Sequence, residues 1–174
     1  MVRAITMIFV IIINFILQST LFQYIAIAGI KPNTAILIIV SYAILRGDIE
    51  ATLAGFFAGL LQDIFFGYYL GLFALLGALI GFVCGKPFKN FFPENYLLPV
   101  ILTAISMLAH EFLFYVFSFL LYGRTELSYY FDRIILPGTI YTMVLSLVIY
   151  RLIYGINRRL EAHEKKRRHF FVKA

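Results

Sequence analysis

From Gly55 to Gly71 the sequence reads Gly-Phe-Phe-Ala-Gly-Leu-Leu-Gln-Asp-Ile-Phe-Phe-Gly-Tyr-Tyr-Leu-Gly, so Gly55, Gly59, Asp63, Gly67 and Gly71 follow one another at four-residue steps inside an almost unbroken apolar run. Residues four apart lie above one another on a helix, so the run predicts one helix face made of small residues. Such a face lets a second backbone come close, and in lipid that close approach is where helices gain packing energy. Gly77, Gly81 and Gly85 continue the spacing in the next apolar run. Two consecutive helices of this kind can close on each other as an antiparallel hairpin, or one can offer its groove to a helix of another chain; the spacing fits both.

Asp63 sits on the same face. A carboxylate within hydrocarbon costs a few kcal/mol on insertion scales, so it is expected to face protein or water. That the surroundings are hydrocarbon follows from composition: 62% of the 174 residues are hydrophobic, against about 45–50% in a soluble domain. The chain is therefore expected to be an all-α, polytopic membrane helix bundle, with no room for a soluble catalytic domain. At about 20 apolar residues per crossing, about six transmembrane helices are read, at 4–25, 32–46, 49–66, 70–85, 97–121 and 134–154. They form one domain over 1–156, followed by a basic cytoplasmic tail over 157–174. The second to fourth spans are short. A 15-residue helix rises only about 22 Å, so these have to extend, thin the bilayer or pack inside the bundle.

The basic residues bear on topology. With the N-terminus inside, twelve of the fifteen Lys and Arg residues fall on the inner side and three, Lys31, Arg124 and Arg133, on the outer side. That asymmetry predicts both termini in the cytoplasm. The first apolar run is too long for a cleaved signal peptide and carries Asn14 and Gln18, so it is read as an uncleaved anchor. In the tail, Arg158, Arg159, Lys165, Lys166, Arg167 and Arg168 form a juxtamembrane cluster that attracts anionic lipid headgroups. Nucleic acid is not expected, because those headgroups compete for the same charges. A cytoplasmic protein partner stays open.

Polar side chains inside the apolar runs are the remaining candidates. Asn14 and Gln18 lie one turn apart on the first helix, suited to an interhelical hydrogen bond or to a ligand contact. Gln62 and Asp63 lie near the outer end of the third span. Asp63 is expected to meet a cation, from Arg124, Arg133 or another protein, or else to serve inside the bundle or at the outer interface. His110 and Glu111 fall near the middle of the fifth span. Neighbours on a helix point about 100° apart, so these two are not expected to form one site by themselves. A zinc protease helix repeats its histidine four residues later, and that position is Phe114. Structural hydrogen bonding, a proton-responsive pair and a ligand contact stay open for His110 and Glu111. Cys84 is the single cysteine and reads as a small packing residue. With no nucleophile spacing and no Gly-rich phosphate loop, no enzyme activity, metal or cofactor is expected.

The pattern Gly-Phe-x-x-Gly-Leu-x-x-Asp-x-x-x-Gly-x-x-Leu-Gly, at Gly55, Phe56, Gly59, Leu60, Asp63, Gly67, Leu70 and Gly71, resembles the signature of the MreD family of bacterial rod-shape proteins. Lys31-Pro32-Asn33, at the opening of the second run, and the chain's length and hydropathy agree with it. The resemblance implies a noncatalytic inner-membrane component of the cell-elongation machinery. Its implied partner is the bitopic protein MreC, with links to the filament-forming MreB, the glycan polymerase RodA and a class B penicillin-binding transpeptidase. It implies no role for His110 or Glu111. The family's fold is similar to that of the substrate-capture subunits of energy-coupling-factor vitamin transporters, which supply the rival reading. Those subunits usually carry an Ala-x-x-x-Ala-like face on the first helix, whereas here Ala4 is followed four positions later by Ile8.

Overall fold

The computed structural model describes residues 2–26, 29–67, 70–88, 97–118 and 130–172. In chain order the helices are α1 (Val2–Ser19), a single turn α2 (Leu21–Tyr24), α3 (Thr34–Arg46), α4 (Asp48–Phe66), α5 (Leu72–Phe88), α6 (Leu97–Ser118) and α7 (Leu136–Val172), the last preceded by a π-helical turn at Phe131–Ile135. Among the described residues there is no β-strand.

The segment from Thr34 to Leu45 is nearly apolar on every side, and a helix of that kind belongs in an interior. All twelve of those residues are buried, because α3 is enclosed by α1, α4, α5, α6 and α7. This accounts for its length. Thirteen residues rise about 20 Å, less than the roughly 30 Å of a hydrocarbon core, and a helix sheathed by protein does not have to match the bilayer. Asn33 starts it by accepting a hydrogen bond from the Ile36 N–H, so Pro32 lies just ahead of the cap rather than in the first turn. Gly47 ends it at φ +93°, a left-handed value suited to glycine. The Gly47 N–H donates to the Tyr42 and Ala43 carbonyls, and α4 begins at the next residue with Asp48 and Glu50 in its first turn, where the helix dipole favours negative charge.

Among the described residues three helical stretches are long and apolar enough to cross a membrane: α4, α6 and the continuous run from Phe131 to Ala162. Helices α1, α3 and α5 are apolar but shorter. Phe9, Phe65, Ile105 and Val148 lie exposed on the outer faces, an apolar surface that fits lipid and not water. The chain is a membrane protein.

The sixth span is expected to end at 154, ahead of the basic tail, and α7 itself runs on to Val172, so the tail continues the helix. Nothing from 156 onward breaks a helix, and the Asn157 amide donates to Glu161 one turn on at 2.9 Å, carrying the helix past the end of the apolar stretch.

Candidate functional site

The glycine faces of α4 and α5 are turned toward each other. A methyl group placed on Gly55 would strike the Gly77 carbonyl, one on Gly59 the Phe73 carbonyl, one on Gly81 the Ala51 carbonyl, and one on Gly85 the backbone of Asp48. Between these two helices the small-residue groove is filled by backbone from the same chain. Gly67 and Gly71 do not belong to this face. The Gly67 N–H donates to the Asp63 carbonyl and closes α4, while Gly71 occupies the turn ahead of α5 at φ +101°. The four-residue spacing continues past Asp63 because the turn, and not the helix face, requires glycine there.

Asp63 explains the turn. It is 3% exposed, and its two carboxylate oxygens accept the backbone N–H groups of Phe73 at 3.0 Å and Ala74 at 2.9 Å. These are the second and third residues of α5, the donors that an N-cap side chain ordinarily satisfies. Gly71 and Leu72 cannot supply that acceptor, so the preceding helix does. The charge is met by the positive end of the α5 dipole and by two N–H donors. Of the two readings open for Asp63, a cation partner or service inside the bundle, the described contacts are of the second kind, through main-chain amides. Arg133 lines a different recess, and Arg124 falls outside the described residues.

Beside this capped turn lies a cavity of about 320 Å³ lined by side chains from four helices and the segment before α3. Gln18 of α1, Gln62 of α4 and Glu111 of α6 contribute polar atoms, together with Lys31 and Asn33. Gln62 donates through Nε2 to the Gln18 Oε1 at 3.1 Å, joining α1 to α4. Phe73 links the cavity to Asp63: its N–H is held by the carboxylate, and its ring stacks on His110 at 5.8 Å and on Phe114 at 5.0 Å. His110 Nδ1 lies 3.3 Å from Glu111 Oε1. The two neighbours, not expected to form one site by themselves, are in hydrogen-bond contact, with His110 buried and Glu111 partly open to the cavity. Burial, with the Glu111 carboxylate nearby, pushes the Tyr130 phenol up from its ordinary range. Asn14 is buried in the bundle and is not among the lining residues. Among the described residues no three His, Cys, Asp or Glu side chains converge as a metal site requires.

A second polar cluster, at the other end of α3, is one that the sequence reading did not find. Arg46, only 6% exposed along its side chain, donates from Nε to Asn157 Oδ1 at 2.8 Å and from a terminal nitrogen to Glu50 at 2.8 Å, with its guanidinium over the Tyr42 ring. Arg3 approaches the same Glu50 at 3.7 Å. Helices α1, α3, α4 and α7 are tied together there. The four-residue step from Arg46 to Glu50 was the available signal, but the link to Asn157 spans 111 positions and no local spacing announces it. Downstream, Arg158 and Arg159 are exposed, and the side chains of Lys165, Lys166, Arg167 and Arg168 lie outside the described residues.

The cavity can hold a polar segment or small polar molecule by hydrogen bonds and by one charge of each sign. Among the described residues that line it there is no paired nucleophile and base. The family model for rod shape-determining protein MreD matches residues 1–160 of the chain. No curated protein and no solved structure matches it.

Proposed function

The chain belongs to the MreD family, and from that premise we propose that it is a noncatalytic membrane scaffold of the rod elongation complex that docks MreC at the cavity between α1, α4, α5 and α6. Membership gives the role in rod shape determination. The docking site rests on one observation: Gln18, Lys31, Gln62 and Glu111, scattered through the sequence, line the same cavity, and its floor at Phe73 is fixed by Asp63. A partner segment seated there would exchange hydrogen bonds with groups held in place by packed helices, which lowers the ordering cost of binding.

In this reading the protein lies in the bacterial inner membrane with both termini cytoplasmic, as the distribution of basic residues favours. The cavity then faces outward, because Lys31 lies on the outer side. MreC connects the scaffold to MreB, RodA and the class B penicillin-binding transpeptidase, so peptidoglycan chemistry belongs to the partners. The exposed Arg158 and Arg159 add contact with anionic headgroups.

The test is purification of the tagged protein from native membranes in mild detergent, beside Glu111→Gln and Gln62→Leu variants. MreC is expected with the wild type and reduced with both variants, while loss of the Gln62 to Gln18 bond lowers the thermal stability of Gln62→Leu only slightly, by about 0.6 kcal/mol. Recovery of paired ATPases and a transmembrane coupling subunit instead would overturn the reading in favour of a transporter capture subunit.

A further inference from the structure

A second recess lies along the start of α7, next to the cavity: Ile30 lines the recess and Lys31 the cavity. It is an open groove of about 810 Å³ walled by Ile30, Pro137, Ile140 and Val144, with Asp132 and Arg133 at its mouth. The π-helical turn at Phe131–Ile135 carries both charged residues, and such widened turns recur where side chains are aimed at a function. Both residues are exposed, and among the described residues neither has an ion-pair partner. Asp132 and Arg133 stand where the apolar stretch of the span begins, at headgroup depth. From Arg133 to Val144 the helix descends eleven residues, about 16 Å, which is close to one leaflet of a hydrocarbon core roughly 30 Å thick. The groove therefore matches a single lipid in its length and in its division into a charged mouth and an apolar channel.

The signs at the mouth select the headgroup. An anionic lipid would meet Arg133 favourably and Asp132 unfavourably, whereas a zwitterion satisfies both. We propose that this groove binds a phospholipid with a phosphate and a primary ammonium, of the ethanolamine type, the phosphate at Arg133, the ammonium at Asp132 and one acyl chain along Ile140 and Val144. A quaternary ammonium offers no N–H to a carboxylate and fits less well.

The test uses the full-length protein in detergent, offered an equimolar mixture of phosphatidylethanolamine, phosphatidylglycerol and phosphatidylcholine with identical chains, with bound lipid read by native mass spectrometry. The wild type is expected to retain phosphatidylethanolamine about fivefold over the other two, the factor that one headgroup charge contact provides. Asp132→Asn is expected to abolish the preference over phosphatidylglycerol, Arg133→Gln to lower retention of all three, and Val144→Trp to empty the groove. Both charged residues are exposed, so thermal stability is expected to hold and a folding defect would not mimic the result. Equal retention of the three lipids by the wild type, or a preference unchanged in Asp132→Asn and Arg133→Gln, overturns the proposal. So does a photo-crosslinker at Val144 that captures a protein helix in native membranes.

Discussion

Replacing Asp63 by alanine withdraws both acceptors from the first turn of α5 and leaves the Phe73 and Ala74 N–H groups facing a buried gap. A hydrogen bond to a charged group contributes about 1.5–3 kcal/mol, and loss of an N-cap side chain costs up to about 2 kcal/mol. The two bonds share one carboxylate, so they do not add in full, and polar contacts within membranes measure lower than in water. A net loss of about 3 kcal/mol follows, which for a chain of this size lowers Tm by roughly 6–12 °C. Asp63→Asn keeps one acceptor oxygen and is expected to lose about half as much. Cys84 supplies the assay: it is the single cysteine, buried in α5 against Ser106, so a thiol-reactive fluorophore reports opening of the bundle during a thermal ramp. A shift under about 2 °C for Asp63→Ala, or a larger shift for Asp63→Asn than for Asp63→Ala, refutes the cap.

Three further outcomes follow from the same contacts. Gly55→Ala and Gly59→Ala force α4 and α5 apart and are each expected to cost about 1–3 kcal/mol, whereas Gly155→Ala, with nothing within 4 Å of the added methyl, is expected to be neutral or mildly stabilising; the Cys84 melt compares them. Arg46→Met removes the buried cation from Glu50 and Asn157 and leaves Glu50 only Arg3 at 3.7 Å, so it is expected to cost about 1.5–3 kcal/mol, while the double variant Arg46→Met with Glu50→Met recovers part of that loss; a double variant no better than the single would remove the ion pair from the account. Gln18→Leu breaks the link to Gln62 and is expected to cost only about 0.6 kcal/mol, so a large drop in the same melt would assign α1 a heavier structural role than the geometry gives it.

The helical class, the membrane setting and the small-residue faces of α4 and α5 were legible because each depends on local repetition, apolar runs and glycine spacing, while whether those faces meet each other or another chain's helix was left open by the spacing. The buried state of α3 was half legible, since its composition calls for an interior but cannot say which helices surround it. Gly67 and Gly71 misled because a four-residue period looks the same whether it continues a helix face or places glycines in the turn after it. Asp63 was visible as a constrained carboxylate, but its partners are main-chain amides, which leave no mark in side-chain spacing. The polar candidates Gln18, Gln62, His110 and Glu111 were visible one by one. Their convergence was not, because it depends on crossings between helices that are far apart in sequence, as does the Arg46 to Asn157 contact.

The account stands on the cavity being the place where a partner docks. A photo-crosslinking amino acid at Gln62, activated in native membranes, tests this most directly, with the same group at the exposed Val148 as the comparison. The account predicts a single protein adduct from position 62, identified by mass spectrometry as MreC and absent from position 148. No protein adduct from position 62, or an adduct with a transporter coupling subunit, would contradict it.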